Sequence, residues 1–285
     1  MKTAATLALL LLAGLGSGCG RGPQASADSR LSVFVSIPPQ AYFVERVGGP
    51  RVAVEALVRP GQDAHTYEPA PRQMAQVARA RVYFRIGFPF ENTLIPRLQS
   101  NVPGLLIVDT RQGIALRSLE GEPGAPDPHI WMSPTLVIRQ VQTIRDVLIR
   151  LDPAGENEYR ANAERFIAEL RQVHTRIAEA LAPLQGRALL VYHPAFGYFA
   201  DEFGLKQVPV ESAGKEPTSR QLARLIELAR AQGIKVVFLQ PQFSQAGARA
   251  VAEAIGGAVV PLDDLAYDYL NNLETMARTI QEALQ

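Results

Sequence analysis

Cysteine is nearly missing from these 285 residues: there is one, Cys19. A lone cysteine forms no internal disulfide, so the fold must rest on an apolar core, for which the 47% hydrophobic content provides the material. Charge of one sign is missing too. Lys and Arg number 29 against 28 Asp and Glu, a net charge of +1, which offers no basic excess to hold nucleic acid. Beyond the N-terminus no run of apolar residues approaches the ~18 that a membrane-spanning helix needs. There is no H-E-x-x-H pattern, the signature of a zinc protease. Histidine is scarce, with four in the chain, and three of them stand in similar company.

The N-terminus has the form of an export signal. One Lys precedes an apolar run from Ala4 to Leu15, and small residues follow it. The stretch "LGSGC" resembles a lipobox, with the departure that Leu15 stands four residues before the cysteine rather than three. The expectation is a signal peptide over 1–18, lipid attachment at Cys19 and a flexible tether over 19–30, "GRGPQASADS" being small and polar. The alternative is a chance cysteine in a discarded signal.

From residue 31 onward, strand-like and helix-like segments alternate, which predicts parallel sheets covered by helices. In the first half "RLSVFVSI", "RVAVEALV", "RVYFRIG" and "LLIVD" read as strands, and "QAYFVERVGG" and "PRQMAQVARA" as helices. Residues 88–104 are assigned no element. A long amphipathic helix follows, with Ser133 as its N-cap and Pro134 in its first turn. The second half repeats the logic from "GRALLVYH" to the C-terminal helix "YLNNLETMARTIQEAL". Between the halves Phe166, Leu170, Val173, Ile177, Leu181 and Leu184 recur in steps of 3 and 4, the face of one long helix. The predicted fold is α/β: an N-terminal lobe over 31–152, a stiff connecting helix over 153–185 and a C-terminal lobe over 186–285.

His65 lies in "PGQDAHTYEPAPRQM", His129 in "PDPHIWMSP" and His193 in "VYHPAFGYF", each beside proline and aromatic residues and each 64 residues from the next. All three fall in predicted connecting loops, His193 directly after a strand. Ligands of open α/β sheets bind beyond the strands' carboxyl ends. Three imidazoles from two facing lobes therefore predict a metal site in the interlobe cleft. A tetrahedral site wants a fourth donor. Asp263, at the end of the last strand, is the candidate. The competing reading makes Asp263 and Asp264 turn or N-cap residues of the next helix. Glu211, after the strand "KQVPV", is a further carboxylate that could compete for the metal or support a ligand from behind. His174 sits mid-helix among charged residues and is expected to be an ordinary boundary histidine.

With these stretches in order, the chain resembles the zinc/manganese ABC-transporter substrate-binding lipoproteins, the ZnuA/TroA-like cluster A-I, or solute-binding protein family 9. "PGQDAHTYEPAPRQM", "DPHIWMSP", "VYHPAFGYFADEFGL" and "LDDLAYDYLNNLETMARTI" resemble its four ligand stretches. The resemblance implies two lobes, a rigid connecting helix and metal held between the lobes. It carries the ligand role onto His65, His129, His193 and Asp263. Two departures stand out. Asp264 occupies the place where the family usually has proline. "RQGIALRSLEGEPGAPDP" has none of the histidines of the metal-collecting loop found in many zinc members.

The implied function is extracytoplasmic capture of a divalent metal for an ABC permease and its ATPase, by a monomer tethered to the membrane through its lipid. Three imidazoles and one carboxylate favour Zn²⁺ over Mn²⁺. Manganese or iron binding, or a surface adhesin, are alternatives within the same family. A zinc hydrolase would need an open coordination position beside a general base, which four protein ligands would close.

Overall fold

The structure is a computed structural model that describes residues 30–121, 124–211 and 217–285. The expectations for the signal, Cys19 and all of the tether but Arg30 fall on residues 1–29, outside the described part. In the first lobe β1 (Leu31–Val35), β2 (Val52–Ala56), β3 (Val82–Arg85) and β4 (Leu106–Asp109) pair in parallel, in the order β2-β1-β3-β4. In the second, β5 (Ala188–Val191), β6 (Lys206–Pro209), β7 (Val236–Leu239) and β8 (Ala258–Pro261) pair in parallel in the same relative order, β6-β5-β7-β8. Each sheet therefore reverses its winding beside its first strand, between β1 and β3 and between β5 and β7. That reversal opens a crevice at the carboxyl ends of the strands.

Helices α1 (Pro38–Gly48), α2 (Pro71–Val77), α3 (Pro89–Asn101) and α4 (Pro134–Leu151) serve the first lobe. Ser133 caps α4 as expected: its hydroxyl accepts from Leu136 N at 3.1 Å. The helix α3 was not foreseen. Pro96 inside it reads as a breaker, yet it lies on the exposed side, while Phe90, Glu91, Leu94 and Leu98 bury the opposite face. The connecting helix α5 (Glu156–Leu181) is flanked by single 3₁₀ turns at Pro153–Gly155 and Ala182–Leu184. Its 26 residues span about 39 Å. All six apolar positions read from the sequence are buried. Arg46 of α1 forks onto Glu169 of α5 at 2.7 and 2.8 Å, which fixes the first lobe to this helix.

The second lobe carries α6 (Gly197–Phe203), α7 (Ser219–Ala231), α8 (Gln245–Ile255) and α9 (Tyr269–Leu284). Alternation along its strands sorts two cores. Leu189, Val191 and Phe238 join the main core, which runs on through α5 into the first lobe. Leu190, Val237 and Leu239 face a second cluster with Val251 and Ile255 of α8. The final helix belongs to both lobes: it packs along α5, and Tyr269 at its start meets Phe43 of α1 edge-on, 4.8 Å between rings.

Candidate metal centre

Local chemistry sets each histidine loop. Asp63 accepts from the backbone N–H of His65 at 2.8 Å and from the Thr66 hydroxyl at 2.8 Å. Asp127 repeats the device two residues before His129, accepting from its N–H at 3.0 Å. Both are D-x-H turns in which a short acidic side chain replaces a backbone partner. His193 follows β5, and the buried amide of Gln240, just beyond β7, clamps its backbone. The amide oxygen accepts from His193 N at 3.3 Å, and its nitrogen donates to His193 O at 2.9 Å.

These loops bring the three imidazoles together. The Nε2 atoms lie 3.1 Å apart for His65 and His129, 3.0 Å for His65 and His193, and 3.2 Å for His129 and His193. Tetrahedral donors at the usual Zn–N distance of about 2.0–2.1 Å stand about 3.3–3.4 Å apart, so the observed triangle is within a few tenths of an ångström of that spacing. The rings are fixed from behind. His129 Nδ1 lies 2.7 Å from Asp127 Oδ1, and His193 Nδ1 makes a short hydrogen bond with Glu211. A carboxylate at Nδ1 keeps the proton there and turns the Nε2 lone pair toward the centre. Each ring also has an aromatic wall: Phe88 beside His65 (4.9 Å), Trp131 beside His129 (5.1 Å) and Phe243 stacked on His193 (4.8 Å). His129 and His193 are 1% and 2% exposed whereas His65 is half-buried, so the centre opens to solvent on the His65 side.

The two carboxylates after β8 have different surroundings. The Asp263 Oδ1 accepts from Leu265 N at 2.9 Å and from Gln242 Nε2 at 3.4 Å, which forms an Asx turn. Asp264 is buried, its Oδ1 makes no hydrogen bond, and its backbone carbonyl accepts from Trp131 Nε1 at 2.7 Å. Among the described residues the group whose donor atoms lie within 4.8 Å of one another is the three histidines, without either aspartate. His174 stays apart: its Nε2 meets Glu202 at 3.2 Å and its ring lies against Phe203. The residues that sequence reasoning missed are Asp127, Gln240, Phe88 and Phe243. Only the repeated D-x-H spacing was a visible signal for any of them.

A model of the family described as "ZnuA: Zinc-uptake complex component A periplasmic" matches residues 33–283. The chain belongs to this family. The zinc uptake protein ZnuA of Bacillus subtilis (strain 168) is 26% identical over 289 residues, which span 96% of this chain and 88% of that one. A manganese-binding lipoprotein, MntA of Halalkalibacterium halodurans, is 26% identical over 245 residues, 84% of this chain and 81% of its own. A crystal structure of ZnuA superposes with a TM-score of 0.86 at 40% identity, covering 90% of this chain and all of that chain. The family thus includes both zinc and manganese binders on one fold.

Protonation of the centre has a definite sign. Burial holds the His65 and His193 imidazoles well below the ordinary histidine value, and the neighbouring imidazoles add to this. The unfolded chain takes up protons on these rings near pH 6.5, whereas the folded chain does so only at lower pH, so acidification favours the unfolded state. Asp264 opposes this. Burial pushes its carboxyl up to about 7, so it holds a proton in the folded state that the unfolded chain releases above about pH 4. Two imidazoles outweigh one carboxyl. Metal-free protein in chelator is expected to melt at a lower temperature at pH 5.5 than at pH 7.5, and Asp264→Asn should widen the difference. A midpoint that rises on acidification would contradict this account.

Proposed function

We propose that this chain captures a divalent transition-metal ion outside the cytoplasm, Zn²⁺ before Mn²⁺, and hands it to the permease of an ABC importer. The observation that carries the reading is the triangle of Nε2 atoms, built from both lobes and spaced for one cation. Neutral imidazoles suit zinc-like ions, whereas manganese wants more oxygen. The ligand set is His65, His129, His193 and a carboxylate from the Asp263–Asp264 pair. Asp263 is the residue at the matching place in the sequence, and Asp264 is the buried one, with an Oδ1 that makes no hydrogen bond. Capture rather than catalysis fits the buried acids beside the rings: Asp127 and Glu211 are engaged on the Nδ1 atoms, where they orient ligands instead of activating water. The half-buried His65 gives the ion its way in and out. The stiffness of α5 limits hinge closure, so loading rearranges loops more than it swings lobes. Cys19 carries the lipid that keeps the chain near the permease, and the domain boundaries at 31, 153 and 186 separate tether, lobes and connecting helix.

The test is growth. A strain lacking this gene should fail in chelator-treated medium and recover with added Zn²⁺ or with the gene on a plasmid. The plasmid-borne Cys19→Ala form should appear in the soluble fraction, whereas the parent partitions with membranes. Rescue by Mn²⁺ but not Zn²⁺ would overturn the zinc assignment. A Cys19→Ala protein that stays membrane-bound would overturn the anchor.

A further inference from the structure

In the stretch before His129, which carries no histidine, residues 117–119 pair with 125–127 and dock on the other lobe. The pairing is antiparallel: Asp127 N donates to Arg117 O at 2.9 Å and Leu119 N to Ala125 O at 2.9 Å, with a bridge between Ser118 and Pro126. The docking partner is α6 and the adjoining β6. The Tyr198 hydroxyl donates to Asp127 O at 3.0 Å and accepts from Arg117 N at 3.1 Å. Gln207 Nε2 donates to Glu120 Oε2 at 2.9 Å.

The Arg117 guanidinium sits at the centre of this joint. It pairs with Glu120 at 3.2 Å and with Asp201 of α6 at 3.3 Å, and lies 5.8 Å from the Tyr198 ring centre. Asp201 is exposed, so that pair contributes little by itself. The inward contact is different. Arg117 Nη1 lies 3.8 Å from Asp127 Oδ2, and both atoms are buried with no hydrogen bond to any other group. The other oxygen of the same carboxylate holds His129 Nδ1. The guanidinium reaches this place only because residue 197 is glycine: a Cβ there would stand 1.2 Å from Arg117 Nη1.

We propose that Arg117 is a positioning residue that clasps the two lobes and, through Asp127, sets the ring of the metal-ligating His129. Its charge balances a carboxylate that would otherwise be buried without a counter-ion, and its seat on Gly197 ties that carboxylate to the lobe that supplies His193. A hydrogen-bonded carboxylate behind a ligating imidazole changes metal affinity tenfold to a hundredfold. Loss of the clasp should act within that range.

The affinity arm rests on the zinc reading; the other arm does not need metal. In metal-free protein, proton NMR should show a downfield Nδ1–H resonance assigned to His129 by its loss in His129→Ala. Arg117→Ala should broaden or shift it. Gly197→Ala should do the same without removing any charge, because the new methyl displaces the guanidinium; the backbone at 197 is not left-handed, so alanine adds no backbone strain. In chelator competition, Arg117→Ala and Gly197→Ala should each weaken zinc binding about tenfold to a hundredfold. The double variant should be no weaker than Arg117→Ala alone, since both remove one contact. An unchanged His129 resonance in both folded single variants overturns the clasp, as do additive losses in the double variant. A parent that binds no zinc overturns the proposed function, while the resonance still tests the clasp.

Discussion

Replacing His193 with alanine is expected to abolish most of the stabilisation that zinc confers. Zinc at about 1,000 times its dissociation constant stabilises a protein that binds it only when folded by about 4 kcal/mol. In a domain of this size that corresponds to a rise of roughly 10 °C in the melting midpoint. The His193 ring is the second lobe's imidazole contribution to the triangle, so without it the ion no longer bridges the lobes through nitrogen. Structural zinc sites with four donors are worth about 10–16 kcal/mol at neutral pH, so one nitrogen carries about 3 kcal/mol, a loss of over a hundredfold in affinity. The same loss is expected for His65→Ala and His129→Ala. The control is His174→Ala, whose ring pairs with Glu202 away from the centre. Calorimetric melting of each variant with and without zinc reads the effect. A full zinc-induced shift in His193→Ala would remove the cross-lobe site from consideration.

The largest loss of intrinsic stability is expected at Glu91, which touches none of the three imidazoles. Its carboxylate is fully buried and accepts from the Ser36 hydroxyl (2.5 Å), Arg85 Nε (3.1 Å), Ile86 N (2.9 Å) and Gly87 N (2.6 Å), with Tyr83 OH at 3.4 Å. The turn it closes contains Gly87 at φ 104°, a conformation that side-chain-bearing residues rarely adopt. Glu91→Ala strips the buried Ile86 N–H and the Gly87 N–H of their acceptor and leaves Arg85 with Asp109 alone, 3.6 Å away, at a cost of about 3 kcal/mol, or on the order of 10 °C in the melting midpoint. Glu91→Gln keeps one acceptor oxygen and should lose less. The turn presents Phe88, the wall of His65, so zinc affinity should fall as well, but by less than in His193→Ala. Denaturant unfolding that puts Glu91→Ala within 1 kcal/mol of the parent would show that this network is dispensable.

Much of this architecture was legible before any coordinates. The Ser133 cap, the alternation of strands and helices, and the apolar face of the connecting helix are local patterns, and local periodicity reports on them directly. The helix α3 was hidden for a local reason as well: Pro96 signals a break, and only burial of Phe90, Leu94 and Leu98 against the first lobe outweighs it. The partners of the histidines were hidden for another reason. Glu211 and Gln240 reach His193 from the ends of neighbouring strands, at separations of 18 and 47 residues. No short window of sequence contains such a pairing.

The sequence by itself determined that three loop histidines, spaced through two α/β halves, would meet beyond the strands' carboxyl ends. Residue type and position after a strand suffice for that, because strand direction decides which end of a sheet a loop occupies. The tertiary structure alone decided how the site is held. It placed the Asp263 Oδ1 in an Asx turn and left Asp264 buried with an Oδ1 that makes no hydrogen bond, surroundings that depend on how the chain leaves β8 and meets Trp131 of the opposite lobe. It also set a carboxylate behind each buried ring and an arginine across the joint. Those contacts depend on the relative placement of the two lobes, which is fixed by packing along α5 and α9 and is written in no single segment.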